Sequence, residues 1–139
     1  MMHGLVLSMV LWVSQQTGLP MPQHLPNVHI LNDTTFCNIY GKHCHAKTVH
    51  PVAFYDHGEI FLKEPFDPDS LPSLSILVHE IVHHLQTSAG WQYPCIPAGE
   101  PLAYNTQAKW LKSLGVQDPW SVMGIDRFTV IVVSLCSEQ

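Results

Sequence analysis

The feature that most constrains this chain of 139 residues is an apolar stretch that contains the motif His79-Glu80-x-x-His83. Apolar residues in and around the motif recur with the period of one face of an α-helix. These residues are Leu74, Val78, Ile81 and Leu85. Along such a helix, His79 and His83 differ by only about 40° in direction and about 6 Å in height, and the apolar stripe lies nearly opposite them. The segment, which begins near Pro72, is therefore predicted to be a helix with a core face and a face that carries two neighbouring imidazoles.

Two histidines with this spacing on one helix are typical ligands of a single zinc ion. The side chain of Glu80 points about 100° away from that of His79, so its carboxylate would meet a water molecule on the ion instead of the ion itself. The pattern therefore predicts Zn2+ as the cofactor, with His79 and His83 as ligands and Glu80 as a catalytic base. The alternative is that both histidines are exposed or hydrogen-bonded side chains that bind no metal.

A catalytic zinc ion takes three protein ligands and leaves one position for water. Glu100 is the best candidate for the third ligand, because it opens a second predicted helix over residues 100–111, with Pro101 in its first turn. The intervening residues 87–99 are rich in glycine and proline and can reverse the chain. Tyr104 shares a face with Glu100 and is predicted to donate a hydrogen bond to a developing oxyanion. Its alternative role is that of a buried aromatic residue between the helices.

Other residues compete with Glu100 for the role of third ligand. His84 adjoins a predicted ligand but points about 100° away from it, which favours a place around the ligands or on the surface. His50, Asp56 and His57 lie on or near a predicted pair of strands and could approach the ion from above. Glu100 itself could instead serve only to complement the helix dipole.

The motif, followed by a glutamate on a second helix, resembles the zincin metallopeptidases of the gluzincin-like type. The chain also resembles small, largely uncharacterised one-domain members of that group, in which a strand hairpin runs into an HExxH helix that ends in His-His-Leu-Gln. The likeness covers residues 52–114. It implies His79, His83 and Glu100 as zinc ligands, Glu80 as the base and peptide bonds as the substrate. The longer Asn-Glu-x-x-Ser-Asp signature around the third ligand of the large gluzincins is missing here, so Glu100 is assigned by position and spacing.

The rest of the chain predicts an α+β fold in a single domain of residues 1–139. A small antiparallel sheet is expected from residues 27–31 and from a hairpin whose strands, residues 52–55 and 59–62, flank the turn Asp56-His57-Gly58. We expect the sheet to pack on the HExxH helix and on two or three further helices. An edge strand of this sheet is where an extended peptide could bind by backbone pairing.

The two ends of the chain each leave an alternative. Residues 5–13 are nearly continuously apolar but too few to cross a bilayer, so no transmembrane segment is expected. The absence of basic residues before them, and Gly18 and Pro20 after them, favour a packed helix over a signal peptide. Near the other end, Asp126 can cap a helix with Phe128, Ile131 and Leu135 on its core face. The β-branched run of residues 129–133 makes a strand the alternative.

The four cysteines form an even set that allows three pairings. Cys37 and Cys44 bracket what looks like a short polar loop, which favours a local disulfide and leaves Cys95 for Cys136. Two disulfides would indicate an extracytoplasmic location, periplasmic or secreted. The alternatives are buried free thiols, or a second metal site formed by Cys37, Cys44 and the nearby residues His43 and His45.

The amino-acid composition limits the kinds of molecule that this chain is expected to bind. The chain is 46% hydrophobic and 12% charged, as expected for a domain with much buried surface, and its net charge of −5 with scattered basic residues argues against nucleic acid as a partner. Three hypotheses remain. They are a zinc-dependent peptidase that acts on peptides or proteins, a zinc-bearing binding module without turnover, and a histidine-rich metal-sequestering protein without a structured site.

Overall fold

One long central helix organises the fold of this chain. The computed structural model describes residues 2–45 and 50–136. Within these ranges the elements are α1 (Met2–Thr17), β1 (Asn27–Leu31), α2 (Asp33–Tyr40), β2 (Ala53–Asp56), β3 (Glu59–Lys63), α3 (Leu71–Ser88), a 3-10 turn (Ile96–Gly99), α4 (Glu100–Ser113), α5 (Pro119–Met123) and α6 (Arg127–Val133). The predicted α+β class is confirmed.

Helix α3 carries the HExxH motif and contacts α1, α4 and the sheet. Its start is fixed by Ser70, whose side chain accepts a hydrogen bond from the Ser73 amide, and by Pro72 in the first turn. The predicted apolar stripe faces the core: three of its members are completely buried and Leu74 packs at the edge. These three are Val78, Ile81 and Leu85. The opposite face of α3 is thereby directed toward α4 and the hairpin.

The sheet has three strands in the order β1-β3-β2. The predicted hairpin is confirmed, since β2 and β3 pair antiparallel across a turn in which His57 and Gly58 both have positive φ. That is the backbone conformation that two-residue hairpins prefer. Strand β1 pairs parallel with β3, so the sheet is mixed where a purely antiparallel sheet was expected. Side-chain alternation identifies a strand but not its direction, and the 27 residues between β1 and β3 leave ample chain for a parallel return.

Helix α2 was not predicted. Asn32 caps it by accepting a hydrogen bond from the Thr35 amide, and Phe36 is completely buried against Phe54 of the sheet, with 5.2 Å between ring centroids. The interpretation of the segment after Cys37 as a polar loop was therefore wrong for residues 37–40. A helix of eight residues with a single buried position gives too weak a periodicity to detect.

Both disulfides expected from the cysteine spacing are present. Cys37 is bonded to Cys44, and Cys95 is bonded to Cys136. The second disulfide ties the segment between α3 and α4 to the chain beyond α6. Since both sulfurs of the first pair are consumed, they are not available as thiolate ligands for the alternative metal site.

The helix predicted near residues 5–13 is confirmed as α1, which ends at Thr17 before Gly18 with a φ of 76°. Helix α6 is also confirmed, with the Asp126 side chain accepting a hydrogen bond from the Thr129 amide. The predicted core face of α6 was wrong, because Val130 is its buried residue. The side chains expected to be buried are exposed, namely Phe128 by 74%, Ile131 by 58% and Leu135 by 67%. None of the helices in the described ranges has the length and hydropathy that a membrane span requires.

Candidate metal centre

Helices α3 and α4 bring the three predicted zinc ligands together. The Glu100 carboxylate lies between the two imidazoles, with Oε2 3.2 Å from Nε2 of His79 and Oε1 2.6 Å from Nε2 of His83. The 3-10 turn runs directly into α4, so Glu100 is the first residue of that helix. The chain reversal expected between residues 87 and 99 therefore delivers a carboxylate to both histidines.

Two glutamines form hydrogen bonds with the Nδ1 atoms of the imidazole rings, on the side away from Glu100. Nδ1 of His79 lies 2.9 Å from Oε1 of Gln107, and Nδ1 of His83 lies 2.9 Å from Oε1 of Gln86. A carbonyl oxygen only accepts hydrogen bonds, so each ring donates through Nδ1 and directs Nε2 to the carboxylate. The sequence analysis assigned these glutamines no role. Their signal was available, because Gln86 follows His83 by three residues and Gln107 lies on the face of α4 that carries Glu100.

The charged side chains of this group shift one another's pKa values. Burial lowers the pKa of His83, but the hydrogen bond with Glu100 and the charges of Glu80 and Glu100 outweigh burial and raise that pKa to about 9. For Glu100, burial acts to raise the pKa, and the hydrogen bonds with His79 and His83 overcome it and hold the pKa well below the usual range. Glu100 is therefore an anion that a nearby positive charge, whether protonated His83 or a metal ion, stabilises.

The buried carboxylate of Glu80 lies beside the histidines. The residue is 5% exposed, and its Oε2 is a buried oxygen without a partner in the described part of the chain. Burial raises the pKa of this carboxyl. The potential ligand atoms of His79, Glu80 and His83 all lie within 4.8 Å of one another. An unpartnered buried acceptor at this position is costly for the fold and has the proton affinity that a base requires.

Tyr104 lies one helical turn after Glu100, and its ring centroid is 4.4 Å from that of His79. Burial, together with the charges of Glu100 and Glu80, raises the pKa of the phenol to about 12. The hydroxyl therefore stays protonated and can donate at neutral pH. Tyr104 also lines the cavity in front of the histidines, so its side chain is only partly enclosed by the helix interface.

His84 faces away from the centre. Its Nε2 donates to the backbone carbonyl of His24 at 2.7 Å, and its Nδ1 accepts from the Tyr55 hydroxyl at 2.9 Å. That hydroxyl in turn accepts from the Gly58 amide at 2.8 Å. Both ring nitrogens are therefore occupied, and His84 ties the hairpin and the segment before β1 to α3.

The remaining rivals lie at the rim. Asp56 and His57 line the cavity with His50, and they form a hydrogen bond with each other at the exposed hairpin turn. Within the described ranges, none of the three forms a hydrogen bond or ion pair with His79 or His83, whereas Glu100 contacts Nε2 of both. The geometry in the described ranges therefore favours Glu100 among the candidates.

The residues present fit a zinc ion. Two imidazoles and a carboxylate, with one position left for water, are a ligand set that catalytic zinc takes. Here the carboxylate already meets both Nε2 atoms, and both rings are hydrogen-bonded through Nδ1 as metal-binding histidines are. The buried Oε2 of Glu80, which has no partner among the described residues, lies close to both histidines.

A cavity of about 790 Å³ opens in front of this group. Residues 51–57, which include strand β2, line one part of the cavity, and the segment between α3 and α4 contributes Trp91, Tyr93 and Ile96 to its lining. Ile96 is 93% exposed and Trp91 is 50% exposed. Among the described residues, no lysine or arginine lines the cavity. The cavity is therefore lined mainly by apolar and aromatic side chains, and the acidic residues that line it, Asp56, Glu80 and Glu100, lie beside histidines.

The fold and the site define a small α+β domain with an HExxH helix and a candidate metal centre between that helix and the next. The chain belongs to the family described as domain of unknown function DUF6647, whose profile matches residues 1–139. No curated protein and no solved structure matches the chain.

Proposed function

We propose that this protein is a zinc-dependent peptidase in which His79, His83 and Glu100 bind the ion and Glu80 is the general base. One observation carries the proposal. A single carboxylate lies within hydrogen-bonding distance of Nε2 of both motif histidines, while the buried Glu80 Oε2 beside them has no partner among the described residues. A purely structural cluster would be expected to satisfy that oxygen.

In this proposal, different side chains around the cavity perform different steps of hydrolysis. When bound, a zinc ion in such a ligand set acidifies water and polarises the substrate carbonyl. Glu80 accepts a proton from the attacking water at Oε2 and returns it to the leaving amine, a role that its raised pKa favours. Tyr104, protonated up to about pH 12, donates its hydroxyl hydrogen to the oxygen that gains negative charge.

The hairpin supports a peptide or protein as the substrate. Strand β2 pairs on one side with β3 and is the edge of the sheet, and its residues line the cavity. The free backbone groups of an edge strand can pair with an extended peptide. The two disulfides further support a location in an oxidising compartment, outside the cytoplasm.

Metal content and cleavage together test this function. Protein purified without added zinc should contain one equivalent, and it should cleave members of a peptide library until a chelator is added. Glu80→Gln should retain the zinc and lose turnover, whereas His79→Ala with His83→Ala should lose the zinc. His57→Ala is the matched control, since this exposed histidine at the cavity rim should not alter the zinc content.

The outcomes separate the hypotheses. One equivalent of zinc with no cleavage of any library would replace the peptidase by a binding module without turnover. Unchanged metal stoichiometry in the variant that lacks His79 and His83 would refute the zinc site altogether.

A further inference from the structure

We infer that Gln86 and Gln107 are positioning residues of the metal centre, each of which holds one motif histidine with Nε2 directed at the third ligand. The inference rests on the zinc site proposed above. Both side chains are almost completely buried, with Gln86 2% and Gln107 5% exposed. Each amide oxygen lies 2.9 Å from Nδ1 of a different histidine.

The hydrogen bonds of Gln86 fix the orientation of its amide. Nε2 lies 3.1 Å from the carbonyl oxygen of Gly99 and 2.8 Å from the Tyr93 hydroxyl. Because a carbonyl oxygen only accepts, the atom that faces Gly99 must be the amide nitrogen. The amide oxygen therefore faces His83, whose Nδ1 must carry the hydrogen. In the neutral ring, the lone pair is then on Nε2, which is the atom that faces Glu100.

Gln107 is oriented by a separate chain of hydrogen bonds. Its Nε2 lies 3.0 Å from Oγ of Ser75, and that hydroxyl donates to the carbonyl oxygen of Pro72 at 2.8 Å. Since the hydroxyl hydrogen is engaged with Pro72, Ser75 accepts from Gln107. The amide oxygen then faces Nδ1 of His79, which places the lone pair of the neutral ring on Nε2. The two histidines are thus fixed in the same tautomer by two separate sets of hydrogen bonds.

The two glutamines differ in what else they hold. Gln86 binds the carbonyl of Gly99, the residue directly before Glu100, so one amide links a histidine ligand to the start of the helix that carries the carboxylate ligand. The approach is close, because a Cβ at Gly99 would lie 3.3 Å from Oε1 of Gln86. The side chain of Gln107 contacts the ring of His79 and the hydroxyl of Ser75, which both belong to α3. Loss of Gln86 should therefore disturb two ligands and loss of Gln107 only one.

Zinc affinity, measured by competition with a chromogenic chelator, tests these roles. Gln107→Leu should weaken zinc binding by about 10–100-fold, as loss of a hydrogen bond to a ligand histidine typically does, and Gln86→Leu should weaken it more. Gln107→Glu should restore an affinity close to that of the wild type, because a carboxylate oxygen accepts from His79 and the Ser75 hydroxyl can turn to donate. Gln86→Glu should not, because its second oxygen would face the Gly99 carbonyl. Gln16→Leu, on an exposed position of α1, is the control.

A second readout requires no metal. In the proton spectrum of the metal-free protein, a protected Nδ1–H resonance of His79 should be lost in Gln107→Leu and kept in Gln107→Glu. If the leucine variants do not fold, the contrast between Gln107→Glu and Gln86→Glu carries the test, because glutamate is close to glutamine in size. Equal zinc affinities of the wild type and all folded variants would overturn the inference. A wild type that binds no zinc would instead refute the proposed function.

Discussion

Replacing Glu80 by methionine should stabilise the metal-free protein while it removes the proposed base. The Oε2 atom of Glu80 is buried without a partner in the described part of the chain, and burial raises the pKa of the carboxyl. A buried acceptor that loses its hydrogen bonds to water costs about 1–3 kcal/mol. Methionine removes both oxygens, and its additional volume can extend into the cavity that Glu80 lines.

The expected gain is measurable. A domain of 139 residues unfolds with an entropy of about 0.3 kcal/mol/K, so a gain of about 1–3 kcal/mol raises Tm by about 3–10 °C. Urea and thermal denaturation in the presence of a chelator at pH 7 would provide both quantities. Glu80→Gln is the matched control, since it keeps two polar atoms in the same volume and should gain less.

The opposite result would refute the reasoning. If Glu80→Met lowers the free energy of unfolding of the metal-free protein, the carboxylate has a stabilising partner, and the argument that it is kept for chemistry fails. A residue that costs stability where it stands is expected at a functional site.

Three further predictions concern the surroundings of the centre. Replacing Cys95 and Cys136 together by serine should lower the free energy of unfolding, measured in urea, by about 4 kcal/mol, and replacing Cys37 and Cys44 should lower it by about 2.5 kcal/mol. The difference arises because the two disulfides close loops of 41 and 7 residues, so equal losses would contradict an effect of loop length. In protein kept metal-free by a chelator, the ion pair of His83 and Glu100 stabilises the fold fully below pH 6.5, the ordinary pKa of histidine, and this stabilisation is lost as the pH rises through the His83 pKa of about 9. Tm should therefore fall between these pH values, and a Tm that does not change would show that the pair is not formed. Tyr55→Phe should cost about 1–3 kcal/mol in the same urea assay, because it deletes the hydroxyl that joins the hairpin turn to α3; an unchanged midpoint would mean that water replaces it.

Long amphipathic segments were predictable from the sequence because their periodicity reports directly on burial. Helix α3 and the hairpin lie where the apolar pattern and Gly58 placed them, and the Glu100 carboxylate, chosen by its spacing, lies beside His83. The short helices α2 and α5 were missed, because five to eight residues contain too few buried positions for a period to emerge. In α6, the apolar stripe of Phe128, Ile131 and Leu135 was predicted to face the core, but it is exposed and Val130 is buried in its place.

The parts of the centre that could not be predicted are those that depend on contacts between distant residues. Gln107 reaches His79 across 28 positions, and the Gly99 carbonyl meets Gln86 across 13. A neutral amide has no characteristic spacing from the side chain that it holds, in contrast to two histidines on successive turns. The direction of β1 in the sheet was undetermined for the same reason, since its pairing with β3 depends on the path of the intervening chain.

Every polar group of the candidate centre, from Ser75 to Gln107, belongs to one continuous helix-loop-helix stretch, whereas the hairpin contributes only a wall of the cavity. Sequence changes in residues 51–57 other than Tyr55, which is hydrogen-bonded to α3, should therefore reshape the entrance without moving a candidate ligand. If the proposed function holds, a family built on this plan can diversify the molecules that enter the cavity while its candidate metal centre stays the same, and libraries confined to these positions are the natural means of changing what binds.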